Sequence, residues 1–255
     1  MLSVQHLDKR FGGVHATRDV SIDFPAGSLT AIIGPNGAGK TTFFNLISGA
    51  FQPNSGKVLF DGRDIVGKSS LEVVRLGMAR AFQVAAMFPS LTVREAITAA
   101  VTSHQRQSWT LLQRFPLPGT KSRTEEVIEL LGLQAKANTL SRNLSHGDQK
   151  LLDIGLALAM DPKVLLLDEP TAGMGPDERW RMIGKVQQLW QARKMTVIFI
   201  EHDMDIVFKF AQTIHVLKYG AVLAQGTAEE IRRNPDVIDA YLGSDHHLAQ
   251  AVGES

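Results

Sequence analysis

The stretch GPNGAGKTT, residues 34–42, carries the pattern G-x-x-x-x-G-K-[ST] between an apolar run and a helical pattern. That setting is what the pattern requires, because its glycines let successive backbone N–H groups curl around phosphate oxygens where a helix begins. Gly34, Pro35, Asn36, Gly37, Ala38, Gly39, Lys40, Thr41 and Thr42 are therefore expected to form a phosphate cradle. Lys40 is expected to reach the β- and γ-phosphates of a nucleoside triphosphate, and the Thr41 hydroxyl to ligate Mg²⁺.

A second group follows at LLLDEP, residues 165–170. Asp168, at the end of a buried run, suits Mg²⁺ directly or through water, and Glu169 suits orienting and deprotonating an attacking water. A DE pair after a strand equally well begins a polar loop. The glycine-rich loop upstream decides for the chemical reading. His202, in EHD at 201–203, is placed to hydrogen-bond a γ-phosphate, and Gln83, in ARAFQV, to touch the metal or the water. Taken singly, each of these two is an ordinary polar loop residue.

NLSHGDQK, residues 143–150, leaves two readings open. Ser145 followed three positions later by Asp148 fits a capping box, which would make the stretch no more than a helix start. Helix starts also attract phosphate, yet no GKT loop of its own lies beside this one.

Elements must hold these groups in place. SLTAIIG (28–34), KVLLLDEP (163–170) and MTVIFIEHD (195–203) are continuous apolar runs of the kind that form strands buried on both faces of a parallel sheet. The helical patterns TTFFNLISG and PDERWRMIGKVQQLWQARK alternate with them, so an α/β core is expected. TIHVLKYGAVLAQG reads as a hairpin turning at Tyr219-Gly220. TVREAITAAVTS, TEEVIELLGL and DQKLLDIGLALAM have helical period around a break at RFPLPGT (114–120). They predict a helical subdomain over 84–160, inserted between two parts of the sheet. PDVIDAYLG predicts a last helix, and the small polar SDHHLAQAVGES a frayed tail.

With 255 residues, 44% hydrophobic and 21% charged, the chain suits one large globular domain or one domain with a subdomain. Lys and Arg number 27 against 26 Asp and Glu, so no global charge favours nucleic acid or anionic lipid. There are no cysteines, which excludes disulfides and thiolate metal sites. The N-terminal MLSVQHLDKRF lacks the apolar segment of a secretory signal, and no apolar run reaches membrane-spanning length. If the protein works at a membrane, another chain is expected to cross it. His246 and His247 in the polar tail, and Arg106, Arg114, Lys121 and Arg123 in a mixed segment, read as solvated, and Trp109 as a packing residue.

The order of these motifs, GPNGAGKTT, Gln83, LSHGDQ, LLLDEP and EHD, resembles the ATP-binding-cassette (ABC) ATPases over residues 2–243. The resemblance implies a P-loop NTPase cassette: a parallel-sheet ATP-binding core over 1–83 and 161–243, an antiparallel β subdomain, the helical subdomain, and a flexible tail over 244–255. It implies two cassettes meeting head to tail, the LSHGD segment of one covering the ATP on the other. Ser145 and the Gly147 amide would then contact the γ-phosphate in trans, while Lys40, Thr41, Gln83, Asp168, Glu169 and His202 act in cis. Phe11, in KRFGG, matches the aromatic that stacks on adenine; by pattern alone it is a strand core residue. Two positions depart from the family. The usual signature is LSGGQ, where this chain has His146 and Asp148, and Asp148 is expected to point back into the helix cap. The loop after LLLDEP commonly holds Asp or Asn where this chain has Gly175, a position the resemblance ties to communication between the two ATP sites.

KRFGGVHA, ARAFQ, EHDMDIVF and the closing DAYLG are similar to the ATPases of branched-chain amino acid importers, relatives serving urea and short amides included. Such a motor implies a second cassette subunit, two transmembrane permease subunits and, indirectly, a substrate-binding protein, with no nucleic acid. It would sit at the cytoplasmic face of the inner membrane. Val84, Met87 and Phe88 are candidates to line a groove for a permease helix, or equally to belong to the subdomain core. An exporter ATPase for lipid or polysaccharide, and a soluble ABC ATPase acting on DNA or ribosomes, are the alternatives. The single cassette and the lack of cysteine disfavour the latter, and Glu169 and His202 disfavour a module that binds nucleotide without hydrolysis.

Overall fold

The computed structural model describes residues 1–81, 88–104 and 119–242. The three apolar runs become β3 (Leu29–Ile33), β7 (Val164–Asp168) and β8 (Thr196–Ile200), buried throughout except at Asp168. With β6 (Met78–Ala81), β9 (Thr213–Lys218) and β10 (Ala221–Gly226) they form a sheet in the order β10-β9-β3-β8-β7-β6. Its pairings are parallel except for the β9-β10 hairpin. That hairpin turns at the expected Tyr219-Gly220, whose φ values of 48° and 81° are both left-handed, as a two-residue type I′ turn requires.

A second sheet, β2-β1-β4-β5, is antiparallel: β1 (Leu2–Phe11), β2 (Val14–Phe24), β4 (Ser55–Phe60) and β5 (Arg63–Asp64). It supplies the antiparallel part that the resemblance implied, and the α/β fold with mixed sheets is the expected one.

Because successive strand residues point to opposite faces, each parallel strand feeds two cores. Ala31 and Ile33, Leu165 and Leu167, and Val197 and Phe199 enter one. Its other wall comprises α3 (Val93–His104), α4 (Thr120–Leu131), α5 (His146–Leu158) and α6 (Pro176–Arg193), through residues such as Ile97, Val127, Leu152 and Ile183. Ile32, Leu166 and Ile198 enter the other, against Phe43 and Phe44 of α1 (Lys40–Ile47) and Val4, Phe24 and Val58 of the antiparallel sheet. In sequence, α3 to α5 lie between β6 and β7, while α2 (Ser70–Leu76) precedes β6. α7 (Met204–Phe210), α8 (Ala228–Arg233) and α9 (Pro235–Leu242) complete the chain, α9 being the helix expected from PDVIDAYLG. No helix among the described residues is long and apolar enough to cross a membrane.

His215 of β9 is 3% exposed, with its ring 5.7 Å from that of Phe24. Burial pushes its imidazole down from 6.5 to about 4. The folded state keeps the ring neutral where the unfolded chain accepts a proton, so this contribution is complete above about pH 6.5 and is lost as pH falls toward 4. The full effect is on the order of 3 kcal/mol. Urea unfolding at pH 7 and pH 4.5 is expected to show a smaller stability loss for His215→Phe than for the natural chain. Equal losses would disprove the assignment.

Candidate nucleotide site

The chemistry sits at the C-terminal ends of β3, β7 and β8, where side chains escape the two cores. The loop after β3 is held by backbone on both sides. A Cβ on Gly34 would lie 2.1 Å from the Leu217 carbonyl oxygen, and one on Gly39 would lie 2.2 Å from that of Ala16. Both positions are glycine because neighbouring strands approach so closely, in addition to the turning role expected. The Gly220 N–H donates to Ala38 O at 3.0 Å, tying the β9-β10 turn to the loop. Tyr241 of α9 hydrogen-bonds the Gly34 main chain, and burial raises its pKa.

Lys40 opens α1, with Gly39 as a left-handed N-cap. Its Nζ donates to Gly34 O at 2.7 Å and to Pro35 O at 3.1 Å. Burial lowers its pKa, and the Glu169 and Asp168 carboxylates oppose that effect. A cavity of about 550 Å³ is lined by Asn36 to Thr42, Phe11, Glu169, His202 and Tyr219. Phe11 is 42% exposed and meets Phe51 edge-on, so it faces this cavity rather than a strand core. Tyr219, at 73% exposure, is a second aromatic at the same rim.

A second cavity of about 370 Å³ is lined by Thr41, Arg80, Lys150, Asp168 and Glu169, among others. Asp168 Oδ2 accepts from Arg80 Nη2 at 2.6 Å, while Arg80 Nη1 donates to Asn45 of α1 at 2.6 Å. Arg80 thus braces the helix after the phosphate loop against the strand that carries the carboxylate. Among the described residues no cluster of three His, Cys, Asp or Glu side chains could hold a metal. Thr41 and Asp168 fit Mg²⁺ all the same, since that ion takes one or two protein oxygens and completes its shell with phosphate and water.

Glu169 has φ 48°, and its Oε1 lies 2.8 Å from His202 Nε2. Glu201, 4% exposed, accepts from the N–H and hydroxyl of Thr171 at 2.9 and 2.7 Å and from the His202 N–H at 3.2 Å. It fastens the end of β8 to the loop after Glu169.

Ser145 is the N-cap of α5, its Oγ accepting the Asp148 N–H at 3.2 Å. The return contact also runs from Asp148 to the cap: its Oδ2 accepts the Ser145 hydroxyl at 2.6 Å and pairs with Lys136. Lys136 and Ser145 hold the Asp148 carboxyl below its usual range, against the opposing effect of burial. His146 lies 3.2 Å from Ala172 O, and Gly175 is the N-cap of α6 ahead of Pro176. Ser145 and Gly147 line neither cavity.

Gln83, Val84 and Met87 lie outside the described residues, as do Arg106, Trp109, Arg114, His246 and His247. Phe88 is described and 42% exposed, and Lys121 and Arg123 lie in α4. Sequence reasoning missed Arg80, Lys150, Glu201 and Tyr219; for Arg80 the available signal was a charge inside the short apolar strand MARA.

Fold and site together define a nucleotide-binding cassette of the P-loop class. A family model described as ABC transporter matches residues 17–172, and one described as branched-chain amino acid ATP-binding cassette transporter matches 221–247. The chain is 37% identical over 251 residues to the high-affinity branched-chain amino acid transport ATP-binding protein LivG of Salmonella typhimurium, covering 95% of this chain and 98% of that one. It is 36% identical over 250 residues to BraF of Pseudomonas aeruginosa, at 95% and 98% coverage, a protein of the same description. The crystal structure of the ADP form of an ATP-binding cassette of an ABC transporter superposes with a TM-score of 0.83 at 30% identity, covering 95% and 98%. The chain belongs to the ABC transporter ATPase family.

Two outcomes follow from the geometry. Arg80→Met strands Asp168 beside Glu169 and is expected to lower unfolding free energy by about 3 kcal/mol, the range for breaking a largely buried pair; an unchanged urea midpoint would contradict the brace. Asp148→Ala, which removes a carboxylate turned toward Ser145 and Lys136, is expected to leave nucleotide-driven association within about twofold of the natural chain, since the pair is partly exposed. Complete loss of association would place Asp148 on the nucleotide.

Proposed function

We propose that this chain is the ATP-hydrolysing motor of an importer for branched-chain or other small amino acids, or for urea and short amides, acting through separate permease subunits. It would work on the cytoplasmic face of the inner membrane, paired with a second cassette and served indirectly by a substrate-binding protein. The observation that carries the catalytic part is Glu169, joined to His202 and facing the Lys40 and Thr41 loop across one cavity. The match over 221–247, together with what the relatives are named for, supports the importer branch over an exporter.

Lys40 would leave the Gly34 and Pro35 carbonyls for the β- and γ-phosphates, with the amides of Gly37 to Thr42 around them. Thr41 and Asp168 would hold Mg²⁺, with Gln83 beside it, and the ion when bound neutralises phosphate charge. Glu169 would orient the attacking water and accept its proton, while His202 steadies Glu169 and reaches the γ-phosphate. Phe11 would stack on adenine, and Ser145 and the Gly147 amide would meet the γ-phosphate of a facing cassette. Residues 1–243 would act as one cassette, with 84–160 as the helical subdomain whose Val84, Met87 and Phe88 meet the permease. Shifting such a pair from about 1:99 open to about 99:1 closed takes roughly 5.5 kcal/mol of differential binding. Two nucleotides gripped from both sides would supply it.

Mild-detergent purification of the tagged chain from its native membranes is expected to recover two polytopic permeases and a second cassette. Recovery of ribosomes or DNA-repair factors in their place would overturn the transport reading. Glu169→Gln is expected to bind ATP with undiminished affinity, to lose hydrolysis by about 10²-fold or more, and to accumulate as a closed dimer; a monomer with ATP bound would refute the scheme.

A further inference from the structure

We propose that Lys150, on α5, is a positioning residue for Glu169, so that the helix whose first turn carries Ser145 and Gly147 also sets the backbone of the residue that would serve as base. The proposal rests on Glu169 having that role.

Glu169 is a non-glycine residue at φ 48°, in the left-handed region. An L-residue enters that region against a steric cost and stays where its surroundings hold it there. The surroundings are specific. The Glu169 N–H donates to Ile200 O at 3.0 Å, and its carboxylate meets His202 at 2.8 Å. Both come from β8 and the residues just past it. The Glu169 carbonyl accepts the Ala172 N–H at 3.2 Å within its own turn, and Lys150 Nζ at 3.1 Å. Of these contacts, only the last comes from the helical side of the molecule.

Lys150 is 7% exposed, and among the described residues no carboxylate lies within ion-pair distance of it. An ammonium withdrawn from water needs strong acceptors, and the acceptor given to it is the main chain of Glu169. The same helix touches the far end of the loop, where the His146 ring lies 3.2 Å from Ala172 O. The two contacts hold residues 169–172 from above, one helical turn apart. Lys150 follows Ser145 by five residues, or about 7.5 Å along the axis. A phosphate that pulled on the first turn of α5 would therefore move the donor that fixes the carbonyl of Glu169.

The test is steady-state ATP hydrolysis and fluorescent-nucleotide binding by the full chain carrying Lys150→Met, Lys150→Gln or Glu169→Gln. Lys150→Met keeps the aliphatic stem and removes the donor. It is expected to lower kcat by about tenfold or more, a cost in line with slight misplacement of a catalytic group, with KM for ATP and nucleotide affinity unchanged within about twofold. Lys150→Gln, which keeps an N–H donor, is expected to recover most of kcat. Wild-type kcat in Lys150→Met would overturn the proposal, as would equal losses in the Met and Gln variants together with a lowered melting temperature. Should Lys150→Met fail to fold, Lys150→Leu serves in its place under the same criteria. If Glu169→Gln hydrolyses at the natural rate, the base assignment itself fails; if Glu169→Gln is inactive while Lys150→Met is unaffected, only the role of Lys150 fails.

Discussion

A parallel sheet covered on both faces commits every side chain along its strands to a core, and this constraint decides where the chemistry can be. Ile32 and Ile33, Leu166 and Leu167, and Ile198 and Phe199 alternate between two apolar clusters, so no polar group can enter at mid-strand without losing its water. The ends of the strands are free of that constraint. The phosphate loop, Asp168 with Glu169, and Glu201 with His202 leave β3, β7 and β8 at the same edge, and the parallel registers bring those ends together. Ligand sites outside the carboxyl ends of such strands follow from this geometry.

The same constraint explains what the sequence disclosed. Runs such as LTAII and VLLLD are legible because burial on both faces erases polar alternation, and the motifs at their ends are local enough to be read in one dimension. β1 and β2 could not be read that way. Their pairing shifts register at several points, with His6 and Asp19 at positive φ, so the apolar period that marks a strand is interrupted. Only the family resemblance supplied an antiparallel sheet. Arg80, Glu201 and Lys150 escaped for another reason: each acts on a residue about 20 or more positions away, and nothing local marks a guanidinium or a carboxylate as somebody else's support.

The signature segment shows how a change in one residue is absorbed by its neighbours. An acidic residue facing a polyphosphate would be repelled, yet the Asp148 carboxylate is occupied by Lys136 and by the Ser145 hydroxyl. His146, where the family has glycine, is turned toward Ala172 and lies over Gly173, whose φ of 79° leaves the space. Both departures from LSGGQ are therefore directed into the chain's own fold, and Gly147 keeps its backbone next to the Glu178 carboxylate, which a side chain there would have to displace.

The close seating of the phosphate loop also sets an order on biosynthesis. Gly34 and Gly39 are made early, but Gly34 is walled by Leu217 and bonded to Tyr241, and the loop's Ala38 is tied to Gly220. β3 is likewise flanked by β8 and β9, both from the last quarter of the chain. On the ribosome, the loop emerges as an unsupported glycine-rich turn on a strand with two open edges, and its final shape waits on nearly the whole polypeptide. The shape of the cradle thus rests on long-range contacts with late-made strands as much as on its own glycines.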